Sequence, residues 1–189
     1  MSAYLSSGRL VYVAQGEFRV SDRPDVVLVT VLGSCIATCL RDPVAGIGGM
    51  NHFLLPGEAS QRGPHTRYGI NAMELLINGI LKAGGEIGRL EAKVFGGANT
   101  SGSQLQIGRA NADFALWFLE NEGIACVGQD VGGAQARKLR FWPVSGQAQQ
   151  KRLDASPQPA TAEQSPNATA SQPSPATCAF FFSASLRSK

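Results

Sequence analysis

Short apolar runs, each closed by Gly, Pro or Asp, fill the first half of this chain and favour a layered sheet. They lie at 10–13, 26–32, 36–40 and 47–53. Rich in Val, Ile and Leu and too short for helices, they read as strands. Asp42-Pro43-Val44-Ala45-Gly46 supplies a turn between two of them. Two helices follow. Ile70, Met73, Ile77 and Ile80 share one face of a segment at 68–83, stopped by Gly84-Gly85. Ala110, Phe114, Phe118 and Leu119 do the same at 108–122, ended by Gly123. Between the helices a strand at 92–95 enters the loop Gly96-Gly97-Ala98-Asn99-Thr100-Ser101-Gly102-Ser103. Strands at 124–129 and 138–142 complete the pattern. Strands outnumber helices and mostly follow one another. The order predicts an α+β layered fold in a single domain rather than a doubly wound parallel sheet.

Composition divides the chain. From Gln147 on it is rich in Ala, Ser, Pro, Gln and Thr, with Pro157, Pro159, Pro166, Pro173 and Pro175 breaking any period. Such a segment buries too little apolar surface to offset the entropy of ordering it. The expected organisation is a folded domain at 1–146 and a disordered tail at 147–189. Phe180-Phe181-Phe182 reads either as a docking motif or as a chance apolar patch.

The formal charge is +3 and no run of Lys or Arg stands out, which argues against nucleic-acid binding. The first residues show no secretory pattern, and no apolar stretch approaches the ~20 residues that span a bilayer. A cytoplasmic protein is expected, with no membrane insertion. Cys35, Cys39, Cys126 and Cys178 then read as free thiols.

Cys35 ends Thr30-Val31-Leu32-Gly33-Ser34-Cys35, where an apolar run breaks at a glycine. His52 lies in Gly48-Gly49-Met50-Asn51-His52-Phe53, and the chain has only 2 histidines. A thiolate is the nucleophile, so a working Cys needs a base beside it. Cys35 and His52 form a candidate nucleophile and base. Gly33 and Ser34 add little bulk beside the sulfur, and a sharp turn there leaves backbone N–H groups free for an oxyanion. The Thr30 hydroxyl is a candidate to orient the imidazole. Each residue also has a plainer reading. Cys35 reads as a small buried residue at a strand end, His52 as bonded to a backbone carbonyl, and Thr30 as a good strand former. Zinc fits poorly, since the spacing of Cys35, Cys39, His52 and His65 is not that of a compact structural site. The Gly96-Gly97-Ala98 loop lacks the Lys and spacing of a phosphate cradle. It suits a close approach of backbone to a substrate or to a neighbouring strand.

Together these stretches resemble the CheD family of chemoreceptor glutamine deamidases. The resemblance rests on Leu32-Gly33-Ser34-Cys35, Asp42-Pro43 and Gly46-Ile47-Gly48-Gly49-Met50-Asn51-His52-Phe53-Leu54-Leu55-Pro56. It continues through Arg67-Tyr68-Gly69, Ala92-Lys93-Val94-Phe95-Gly96-Gly97-Ala98, Ile107-Gly108-Arg109-Ala110-Asn111 and Asp130-Val131-Gly132-Gly133. It implies a β-sandwich core flanked by helices, like that of deamidating bacterial toxins. It also implies hydrolysis of glutamine side chains on methyl-accepting chemotaxis receptors to glutamate, with no metal or organic cofactor. The family's catalytic Cys and His correspond to Cys35 and His52. Its Thr corresponds to Thr30, the nearby candidate, although some members place one more residue between Thr and Cys. Gly33, Ser34, Gly96 and Gly97 would then wall a narrow site for the substrate side chain. Some relatives bind the phosphatase CheC, so a CheC-like partner is a further expectation. A different Cys-His hydrolase and a non-catalytic binding module are the alternatives.

Overall fold

The apolar runs at 36–40 and 47–53 read as unbroken because their strands lie in the middle of three layers. The computed structural model describes residues 8–55, 64–99 and 107–153. Its first half contains β1 (Arg9–Tyr12), β2 (Phe18–Ser21), β3 (Val26–Leu32), β4 (Ile36–Asp42) and β5 (Ile47–Asn51). Then come α1 (Pro64–Lys82), a 3₁₀ turn (Ile87–Arg89), β6 (Glu91–Gly96) and α2 (Ile107–Asn121). The last elements are β7 (Ala125–Val131), β8 (Arg137–Phe141) and β9 (Ala148–Arg152).

Five strands form a sheet in the order β2-β5-β4-β6-β7, and four form a second sheet in the order β1-β3-β8-β9. Successive side chains of β4 point to opposite faces and so feed two cores. Ile36 and Leu40 pack with Met73 and Leu76 of α1 and with Phe114 and Phe118 of α2. Ala37 and Cys39 pack with Val26, Leu28, Leu139 and Phe141 of the other sheet. The helices thus cover one face of the five-stranded sheet, and the four-stranded sheet covers the other. This is the α+β sandwich-like arrangement expected. Among the described residues no helix is long and apolar enough to cross a membrane.

Three elements carry no sequence signal strong enough to be anticipated. β2 is four residues long, with only Phe18 and Val20 packed against the core. The 3₁₀ turn at Ile87–Arg89 buries none of its residues. β9 reads Ala-Gln-Gln-Lys-Arg, yet it pairs antiparallel with β8 from Ala148 opposite Phe141 to Arg152 opposite Arg137. The expected boundary after Gly146 is therefore corrected, because the sheet runs on through Arg152. An edge strand is held by backbone hydrogen bonds, and these leave no apolar pattern to read. The segment 154–189, with Phe180-Phe181-Phe182 and Cys178, lies outside the described residues.

Asp42 closes the turn after β4. Its buried carboxylate accepts hydrogen bonds from the N–H groups of Val44 (2.9 Å), Ala45 (3.0 Å) and Glu86 (2.9 Å). Arg89 of the 3₁₀ turn donates to it from Nη2 at 2.8 Å. The Arg89 guanidinium, helped by these N–H groups and opposed by burial, holds the carboxyl well below the usual carboxylate range.

Candidate active site

Strand register brings Cys35 and His52 to one face. β4 and β5 pair with Cys39 opposite Met50, and the pairing continues unslipped to Ile36 opposite Phe53. Ile36 and Phe53 exchange two backbone hydrogen bonds of 2.9 Å. Ala37 is therefore opposite His52, and Cys35, two residues before Ala37, is the diagonal neighbour of His52. Diagonal neighbours on one face lie roughly 7–8 Å apart, within reach of longer side chains. Ala37, their neighbour on that face, offers only a methyl group. The face they share looks toward the four-stranded sheet.

Thr30 reaches the same place from β3 in that opposite sheet. Its Oγ1 donates to the Val13 carbonyl at 2.9 Å. The same oxygen lies 2.9 Å from His52 Nδ1, and the Val13 carbonyl lies 3.3 Å from it. With the hydroxyl proton committed to a carbonyl, both neighbours of Nδ1 present acceptors. Nδ1 must then carry the ring proton. The lone pair falls on Nε2, which is buried and has no hydrogen-bond partner among the described residues. Burial lowers the imidazole pKa, and the Val13 carbonyl only partly opposes this. The ring is a neutral base at pH 7. Its backbone is held on both sides, by Gly16 N–H to the His52 carbonyl (2.7 Å) and His52 N–H to the Glu17 carbonyl (3.0 Å).

Cys35 sits just before β4, partly exposed. Burial pushes its thiol pKa up, and its own backbone N–H pulls the other way. Sγ donates to Gln15 Oε1 at 3.3 Å. Burial thus favours the uncharged form of each group. The other described thiols are placed differently. Cys39 lies fully buried between the sheets, where desolvation raises its pKa strongly, and Cys126 is exposed.

The Gly96-Gly97 loop packs against the backbone of the segment that bears the thiol. Both glycines are buried and have positive φ, +115° and +65°. Gly97 N–H bonds the Cys35 carbonyl and Ala98 N–H bonds the Gly33 carbonyl, each at 2.8 Å. A Cβ on Gly96 would collide with the Cys35 carbonyl oxygen, and one on Gly97 would lie 2.6 Å from the Gly108 carbonyl oxygen. Of the two close approaches the loop suggested, the structure has the one to neighbouring backbone. Gly33 and Ser34 are partly exposed beside the sulfur.

Two residues near the pair were given no role by the sequence reading. Asn111 of α2 is buried; its Nδ2 donates to the Ser34 carbonyl (3.0 Å) and its Oδ1 accepts from Leu55 N–H (2.8 Å). One side chain ties the segment that bears Cys35 to the segment that follows His52. A signal existed: Asn111 shares a helical face with Ala115 and Phe118, and a polar residue in an apolar stripe asks for partners. Gln15 had none, since it is an exposed residue in a short loop.

A family model described as CheD chemotactic sensory transduction matches residues 54–152. A Rhizobium leguminosarum bv. trifolii protein named "Probable chemoreceptor glutamine deamidase CheD" is 58% identical over 147 residues, 76% of this chain and 80% of that one. Its namesake in Agrobacterium fabrum is 56% identical over 149 residues, covering 78% and 82%. The one in Caulobacter sp. strain K31 is 55% identical over 143 residues, covering 75% and 76%. Among solved structures, a Neisseria meningitidis protein of family model DUF152 matches at a TM-score of 0.40 and 12% identity. It covers 67% of this chain and 63% of that one.

Proposed function

The chain belongs to the CheD family, and from that premise we propose that it hydrolyses glutamine side chains on chemoreceptors to glutamate, with Cys35 as nucleophile. The observation that carries this is His52 Nε2, without a hydrogen-bond partner among the described residues, on a ring that Thr30 contacts and on the same face as a partly exposed thiol.

The chemistry follows from the atoms. As Sγ attacks the substrate's amide carbon, the thiol proton passes to His52 Nε2, and the carbonyl electron pair moves to oxygen. Imidazolium then protonates the amide nitrogen, ammonia leaves, and a thioester remains. Water, deprotonated by the same nitrogen, cleaves the thioester and restores the thiol. Each step uses the chain's own groups and water. The oxyanion needs N–H donors aimed at the place where its charge develops. Asn111 holds the Ser34 carbonyl toward α2, so the planar peptide points the Cys35 N–H the opposite way. We assign that N–H to the oxyanion, Gly33 and Ser34 to the walls around the entering side chain, and Gly96 and Gly97 to the support behind it.

The catalytic unit proposed is the described fold ending near residue 153, working in the cytoplasm on methyl-accepting receptors, with a CheC-like phosphatase as a candidate partner. The test is mass spectrometry of a purified receptor cytoplasmic fragment. Incubation with the wild-type protein is expected to add, at particular glutamines, the small mass of an amide becoming an acid. New fragments would mean proteolysis, and an unchanged receptor would leave a binding module.

Thr30→Val is expected to lower kcat by about 10- to 100-fold with KM little changed. That loss is less than the ~10⁴ seen when a base adopts the wrong tautomer. The reason is the Val13 carbonyl, 3.3 Å from Nδ1, which still accepts the ring proton when the hydroxyl is gone. Steady-state kinetics of ammonia release measure this.

A further inference from the structure

Gln15 contacts the sulfur. Its carboxamide oxygen, 3.3 Å from Sγ, accepts the resting thiol proton. No other side chain among the described residues hydrogen-bonds this thiol. Gln15 is exposed and Cys35 partly so, and the carboxamide thus meets the sulfur where solvent reaches both residues. The loop beneath it is fixed. Ala14 N–H bonds Glu17 Oε2 at 3.3 Å, Glu17 N–H bonds the Ala14 carbonyl at 3.0 Å, and the loop's backbone grips His52 from both sides. The segment that sets the base therefore also sets Gln15 against the nucleophile.

We propose that Gln15 is a catalytic residue whose carboxamide N–H joins the Cys35 N–H in holding the oxyanion. The assignment rests on the deamidase reading. A useful donor sits about 3 Å from the developing oxyanion, and that oxygen is bonded to the carbon the sulfur attacks. A side chain in contact with the sulfur is within range of it. Oxygen and nitrogen lie on one planar group, so the residue can accept from the thiol and donate to the oxyanion in turn. When the thiol proton passes to His52, Gln15 Oε1 loses its donor and faces growing negative charge. Its terminal torsion is broad and two-fold, so the amide turns and presents N–H. No electrons or protons leave Gln15 in this exchange.

The experiment compares full-length wild type, Gln15→Ala and Gln15→Glu. Ammonia release from a purified receptor cytoplasmic fragment gives kcat and KM, and iodoacetamide gives the alkylation rate of Cys35. Gln15→Ala is expected to lose about 100-fold in kcat, with KM nearly constant. Alkylation forms no oxyanion, so its rate should stay close to wild type. Gln15→Glu should lose at least as much kcat, because an ionised carboxylate only accepts. A Gln15→Ala enzyme with wild-type kcat would overturn the assignment. So would a raised kcat/KM, which would make Gln15 a plug, or a parallel fall in kcat and alkylation, which would make it structural. A wild type that releases no ammonia while Cys35 still alkylates would remove the deamidase reading itself.

Discussion

Cys35→Ala is expected to abolish ammonia release from the receptor, a loss of about 10⁴-fold or more, while leaving fold and receptor binding intact. Removing a nucleophile from a unit of this kind costs nearly as much as removing the whole unit. The sulfur is partly exposed and belongs to the edge of the inter-sheet core rather than its centre. Its deletion therefore opens little cavity and should move the melting temperature only slightly. Mass spectrometry of the receptor and a thermal melt measure the two halves. Residual turnover near the wild-type rate would remove Cys35 from the reaction.

The pH dependence of the wild type follows from the same residues. His52 must be neutral to accept the thiol proton, and burial lowers its pKa. The acid limb of kcat/KM is therefore expected below the ordinary imidazole value of about 6.5. Burial raises the thiol pKa instead, so alkylation of Cys35 should climb only at a pH above the ordinary thiol range. The two limbs should lie far apart, as for proton transfer between neutral partners. Alkylation of Cys35 that is already fast well below the ordinary thiol range would mean a preformed ion pair and a different starting state.

Gly96→Ala is expected to cost both stability and rate. At φ +115° an L side chain is strained, by roughly 1–3 kcal/mol. The added methyl also meets the Cys35 carbonyl oxygen, a backbone atom that cannot swing aside as a flexible side chain would. A destabilisation of about 3 kcal/mol or more is expected, read as a lower urea midpoint. The collision pushes on Cys35 itself. A displacement near 1 Å at a reacting group costs about 100-fold, so kcat should fall by at least that much in the molecules that remain folded. A variant as stable and active as wild type would mean that the loop does not brace the nucleophile.

Much of the fold was legible because it is written in local periodicity. β3 occupies the apolar run at 26–32 end to end, and both helices follow their stripes to the expected glycines. Cys35 and His52 stood out as a thiol and a scarce histidine, each beside small residues. What stayed hidden depends on residues distant in sequence. β9 has a polar sequence, and only its backbone pairing with β8 makes it a strand. The Gly96-Gly97 loop reads the same whether it faces a substrate or a neighbouring strand.

The sequence by itself determined every element except β2, the 3₁₀ turn and β9, the α+β order, and the identity of the candidate nucleophile and base, because side-chain period and residue chemistry are local. Only the tertiary structure decided which His52 nitrogen carries the proton, what holds Asn111, and that Gln15 touches the sulfur. Those contacts join residues 22, 77 and 20 positions apart, and they exist only once two sheets and a helix have packed together.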